Sequence, residues 1–144
     1  MGKRYQLLAG LLLSIGVSSA WAADELKVRI NEVMAGYNGD SSIQYVELLV
    51  ASSEHKKWGP QGTEAAGRAQ LQFYDGKNRR IGRYVFSKNP PAGAGGRTVL
   101  VATAAYARLS KAIPPDFEMP REIMPISGKV CFTNNPDNPN AAQF

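Results

Sequence analysis

Apolar and polar positions alternate along much of the chain with the two-residue period of half-buried strands. Leu26, Val28 and Ile30 alternate with Lys27, Arg29 and Asn31, and Val33 and Met34 prolong the run. Residues 35–42, Ala-Gly-Tyr-Asn-Gly-Asp-Ser-Ser, are turn formers that end it. A second strand is expected over 43–50, with Ile43, Tyr45, Glu47 and Leu49 on one face and Gln44, Val46, Leu48 and Val50 on the other. Both faces are mostly apolar, which places this strand inside a sheet and not at its edge. Residues 51–67 are polar and glycine-containing, with Gly59-Pro60 as a breaker, and are expected to form an exposed loop.

Residues 69–74 and 81–86 flank Asp75-Gly76-Lys77-Asn78. Asp-Gly between apolar alternations is a strong hairpin signal. Residues 88–96 form a second flexible connection, and 98–102 a short strand, apolar from Val99 onward. Thr103 suits a helix N-cap. Tyr106, Leu109 and Ile113 share one side of a short helix, Lys111 suits its C-terminus, and Pro114-Pro115 stop it. Residues 116–127 contain Pro120 and Pro125 and are expected to be extended and irregular, before a last strand at 130–133. Six short strands, one short helix and no repeat predict an all-β antiparallel sandwich or barrel.

The N-terminus changes where this domain is expected to work. Lys3 and Arg4 precede an apolar run at 7–17, and Ala20 and Ala22 flank Trp21. This is the three-part pattern of a secretory signal peptide over 1–22, cut before Ala23. The run is about half the roughly 20 apolar residues that cross a bilayer. The leader has no cysteine for a lipid anchor at the cut. Residues 23–144 then form one secreted or periplasmic domain with no transmembrane segment. Without the leader, 15 Lys and Arg face 12 acids, a net charge of +3. A surplus this small makes an acidic partner somewhat more favourable and identifies none. With 44% hydrophobic and 20% charged residues the composition is globular, which excludes disordered and collagen-like classes.

Val28-Arg29-Ile30-Asn31-Glu32-Val33-Met34-Ala35 resembles the opening strand of lamin tail domains. Gln44-Tyr45-Val46-Glu47-Leu48 resembles that family's second strand, and 128–132 is similar to a later one. Asn31, Glu32, Gln44 and Glu47 are the motif positions, expected to be structural. The resemblance implies an immunoglobulin-like β-sandwich, of the kind found in secreted or surface proteins of bacteria. It also implies binding or attachment and not catalysis. One departure is that Trp58 sits in a polar stretch where the family has a Leu-x-x-Trp strand. Residues 134–143 form a loop leading to the apolar Phe144, so the domain is expected to be C-terminally truncated.

Candidate chemistry is sparse. Glu32 and Glu47 on adjacent strands form a candidate acid–base or metal pair. The plainer assignment is that each satisfies backbone donors at a sheet edge or pairs with Arg29 or a lysine, because no third ligand or nucleophile is spaced to join them. His55, the single histidine, lies in a polar loop and leaves zinc sets and a Ser-His-Asp triad unsupported. Asn38-Gly39-Asp40-Ser41 and the asparagine-rich 134–140 segment fall short of a calcium loop. Gly93, Gly95 and Gly96 match no phosphate-loop spacing. Cys131, the single cysteine, is read three ways: an inert strand thiol, a reactive thiol, or half of a disulfide whose partner lies beyond Phe144. Lys77, Arg79, Arg80 and Arg83 cluster on the hairpin and offer a polyanion contact, although alternation puts Arg83 with Ile81 and need not gather them into one patch.

These patterns predict an exported non-catalytic module without cofactor or metal, which binds, attaches or scaffolds at the cell envelope or outside the cell. Its partner is left open between a protein and an anionic surface polymer. The alternatives are an accessory or targeting domain of a secreted hydrolase continuing past Phe144, and direct binding of a polyanion, nucleic acid or surface polymer, through the basic hairpin.

Overall fold

A computed structural model describes residues 28–51, 57–60, 69–91 and 95–134. The expected signal peptide, His55 and the 135–144 tail lie outside these residues, as does any truncation after Phe144. The described chain forms β1 (Val28–Met34), β2 (Tyr45–Val50), β3 (Gln70–Asp75), β4 (Arg80–Val85), β5 (Arg97–Thr103), α1 (Ala104–Ala107), β6 (Phe117–Met119) and β7 (Gly128–Thr133). One sheet has the order β1-β2-β5-β6 and the other β4-β3-β7. The runs β1-β2-β5 and β4-β3-β7 correspond to strands A-B-E and C′-C-F of an immunoglobulin sandwich. The protein is an all-β sandwich of two facing sheets with one short helix.

Alternation decides which side of each strand enters the core. Val46, Leu48 and Val50 from β2 and Val99 and Val101 from β5 meet Leu71 and Phe73 from β3 and Val130 and Phe132 from β7. β2 lies between β1 and β5, as its two apolar faces require. β5 is apolar on both faces because Leu100 and Ala102, on its outward side, are buried as well.

Three local expectations are corrected. Trp58 is buried, 2% exposed, and stacks among Phe86, Phe132 and Phe117 with ring centroids at 4.7, 5.1 and 6.2 Å. The Trp58 and Gly59 amides donate to Asn89 Oδ1 at 2.9 and 3.0 Å, and the Ala69 amide donates to the Trp58 carbonyl. A Cβ on Gly59 would lie 2.7 Å from Lys88 backbone carbon, so the close approach that seats the indole requires glycine. A polar stretch of chain therefore carries the largest side chain of the core.

The second correction is β6, which pairs with β5 in parallel and makes seven strands, not all antiparallel. Leu100 and Asp116 clip its start: the Leu100 amide donates to Asp116 Oδ2, and the Asp116 amide donates to the Leu100 carbonyl, both at 2.9 Å. Three residues beside Pro115 and Pro120 are too few to show a period, and an edge strand tolerates flanking prolines. Third, the helix is one turn long. Thr103 caps it by accepting from the Tyr106 amide, but Lys111 takes a φ of +69° and Ile113 is 69% exposed, so no amphipathic face extends to Ile113. In the hairpin, Asn78 adopts the left-handed conformation, with φ +61°. Asparagine tolerates that conformation through local hydrogen bonding.

Candidate functional site

The two outer faces of the sandwich gather different chemistry. On the first sheet, Glu32 of β1 and Glu47 of β2 are direct cross-strand partners, and the ladder shifts register between Ile30 and Glu32. That irregularity turns Asn31 toward β2, where its amide donates to Glu47 Oε1 at 2.5 Å. Tyr45 of β2 donates its hydroxyl to Glu32 Oε1, also at 2.5 Å. Each strand thus supplies one carboxylate and one neutral donor, and the bonds cross. Like charges placed opposite each other in a ladder are destabilising, and the two donors compensate by solvating one carboxylate each. Among the described residues, the side-chain partners of Glu47 and Glu32 are Asn31 and Tyr45, where backbone donors, Arg29 or a lysine were expected.

Tyr106 from α1 packs edge-on against Tyr45 with centroids 5.2 Å apart. Burial beneath this contact, and then the hydrogen bond to Glu32, push the Tyr45 hydroxyl up to about 12. The neutral phenol is the form that the arrangement holds.

Gln44, the remaining motif position, points the other way. Its side chain is buried. Its Nε2 donates to the carbonyls of Ala35 and Met124 at 3.3 and 2.8 Å. Its Oε1 accepts from the amides of Ile123 and Met124 at 2.9 and 3.0 Å. One amide thereby joins the end of β1, the start of β2 and the segment leading to β7, satisfying backbone groups that have no ladder partner there. The Thr103 hydroxyl works alongside it, accepting from the Gln44 amide and donating to the Ser42 carbonyl.

On the second sheet the basic hairpin is divided. Arg79 is engaged by Asp75: its Nε donates to Oδ2 at 2.8 Å and its Nη2 lies 2.7 Å from the same oxygen. Oδ1 accepts from the Lys77 and Arg79 amides. These bonds, the Arg79 amide foremost, hold the Asp75 carboxyl below its ordinary range. Arg80 and Arg83 fall differently. The ladder pairs Arg83 with Gln72 and Arg80 with Tyr74, with a register shift that leaves Ile81 as an extra residue in β4. Gln72 and Tyr74 share the face of β3 opposite the buried Leu71 and Phe73. The bulge therefore brings Arg80 onto the same outer face as Arg83, which alternation alone did not require. Lys129 of β7 pairs with Tyr74 from the other side, its Nζ 4.9 Å from the ring centroid.

An open cavity of about 320 Å³ lies between β1 and the start of β7, lined by Ile30, Val33, Ala35, Met124, Pro125 and Val130 among others. Its walls are mostly apolar, with Lys129 as a charged residue in the lining. Cys131 is buried on β7, paired with Gln72 and turned away from the inter-sheet core. Among the described residues, no three of His, Cys, Asp and Glu form a metal-holding group, and no helix is long and apolar enough to cross a membrane.

Comparison with protein families, curated proteins and solved structures gives no match. The fold and these two faces define the protein as a two-sheet all-β sandwich.

Proposed function

We propose that the chain is an exported, non-catalytic β-sandwich module, similar to a lamin tail domain, that binds, attaches or scaffolds through its outer faces at the cell envelope or outside the cell. The observation that carries this reading is the crossed pairing of Asn31 with Glu47 and Tyr45 with Glu32. Both motif carboxylates serve to fasten β1 to β2 on a flat sheet surface. General acid–base work instead needs a carboxylate poised over a reacting atom in a site that excludes water. The N-terminal pattern of Lys3, Arg4 and an apolar run supports export.

The test is to assay the purified protein against phosphodiester, ester and peptide substrates, alongside Glu32→Gln and Glu47→Gln. No turnover is expected from any of the three, and both variants should lose stability. Turnover that disappears in either variant while the fold persists would overturn the reading.

A further inference from the structure

We propose that Asn38-Gly39 is a site of spontaneous covalent modification, at which the Asn38 side chain cyclises onto the Gly39 amide nitrogen and is then hydrolysed to a carboxylate. This chemistry does not depend on what the domain binds.

Asn38 and Gly39 are the central residues of a tight turn in the connection from β1 to β2. Their φ values of +50° and +82° are those of a type I′ turn. Tyr37 and Asp40 close it: the Asp40 amide donates to the Tyr37 carbonyl at 2.9 Å, and the Tyr37 amide to the Asp40 carbonyl at 3.1 Å. Residues 36–40 are all exposed. Among the described residues, no hydrogen bond ties the Asn38 carboxamide or the Gly39 amide, and a Cβ on Gly39 would meet nothing within 4 Å. Asn31, Asn78 and Asn89 lack this freedom. Asn31 donates its amide to Glu47. The Arg79 amide, which would attack Asn78, donates to Asp75 Oδ1 at 2.9 Å. Asn89 precedes Pro90, whose nitrogen carries no proton.

Glycine also has no Cβ to obstruct attack by its own nitrogen. Solvent hydroxide removes the Gly39 amide proton, and the nitrogen attacks Asn38 Cγ. The new C–N bond closes a five-membered ring. The Cγ–Nδ2 bond breaks, and Nδ2 takes a proton from water and leaves as ammonia. A second water opens the ring at either carbonyl. One product is aspartate at position 38, and the other is isoaspartate, whose main chain runs through the former side chain. Ring closure requires Asn38 to rotate out of its left-handed turn. Two exposed hydrogen bonds oppose that rotation, by a factor on the order of ten to thirty. The turn is exposed, so the rotation disturbs no core packing. Aspartate tolerates the left-handed conformation and keeps the turn. Isoaspartate lengthens the main chain by one carbon, and the bridge between Tyr37 and Asp40 is lost.

The test is tandem mass spectrometry of the full chain incubated at neutral and at mildly alkaline pH, beside a synthetic peptide of residues 35–42 and the Asn38→Gln variant. The full chain should gain about one dalton, the difference between an amide and a carboxyl, localised to position 38. Aspartate and isoaspartate should both be present. The rate should rise with pH, because the attacking nitrogen must lose its proton. It should run roughly ten- to thirty-fold below that of the peptide, which has no turn to open. Asn38→Gln should stay unmodified over the same period, because its ring would need six members. Hydrogen exchange at the Asp40 amide should quicken as isoaspartate accumulates. An unchanged mass at position 38 after about a hundred peptide half-lives would overturn the proposal. So would conversion seen only in urea-unfolded chain, or conversion that starts at Asn31, Asn78 or Asn89 before Asn38.

Discussion

Replacing Trp58 tests the largest discrepancy between local sequence and fold. The indole is 2% exposed and touches the rings of Phe86, Phe132 and Phe117, which come from the position following β4, from β7 and from β6 respectively. A buried aromatic of this size removes about 150–250 Å² from water. At about 25 cal/mol per Å² that is on the order of 5 kcal/mol, an upper figure because unfolded chains already hide some of the surface. Measured aromatic-to-alanine changes in cores cost about 3–5 kcal/mol. Trp58→Ala is therefore expected to lower the unfolding free energy by about 4 kcal/mol. Trp58→Phe, which keeps one ring, should cost distinctly less. In a domain with a total stability of about 5–15 kcal/mol, the alanine variant will be close to unfolded at 37 °C if the domain sits at the lower end. Urea unfolding followed by circular dichroism gives the quantity directly, with a shifted midpoint and an unchanged slope. A loss under about 1 kcal/mol would mean that the indole is at the surface, where its polar neighbours in sequence suggest, and would refute this account of the core.

Other predictions concern the motif positions and the ladders. Gln44→Leu keeps the side chain's bulk but strands two carbonyls and two amides. At about 1–3 kcal/mol for each group left unpaired, partly relieved by water, a loss of about 3 kcal/mol is expected, with faster hydrogen exchange at Ile123 and Met124. Tyr45 titrates about 12 when folded against 10 ordinarily, so folding favours its neutral form. Its contribution is full below pH 10 and is lost as pH rises from 10 through 12. Tyr45→Phe should therefore lack that part of the alkaline loss, which parallel melts against pH would reveal. Gly128→Ala places a Cβ 2.0 Å from the Tyr74 carbonyl oxygen, which cannot move without breaking the β3–β7 ladder, and should cost about 2–3 kcal/mol in thermal unfolding. Gly76→Ala meets only the mobile Ser127 hydroxyl at 3.2 Å and is expected to be tolerated, which makes it the matched control.

The alternating patterns of residues 28–34, 43–50, 69–74 and 81–86 and the apolar run at 98–102 marked, from the sequence alone, five of the strands. They also fixed which side of β2 enters the core and that β2 lies inside a sheet. That information is local, because a period of two follows from the geometry of a single extended chain. The hairpin and the capping role of Thr103 were equally legible, each set by a few neighbouring residues. Other features depended on partners far along the chain. Trp58 gains its place only where Asn89, Ala69 and three distant rings converge. β6 exists because β5 offers it an edge. Gln44 is a core residue because backbone 80 positions away brings the groups that its amide satisfies. Arg80 faces outward beside Arg83 only because one extra residue in β4 shifts the ladder against β3. Periodicity records the side to which a residue points when its strand is regular. Bulges, edges and convergent hydrogen bonds are relations between segments, and their energies do not exist until the two sheets have come together.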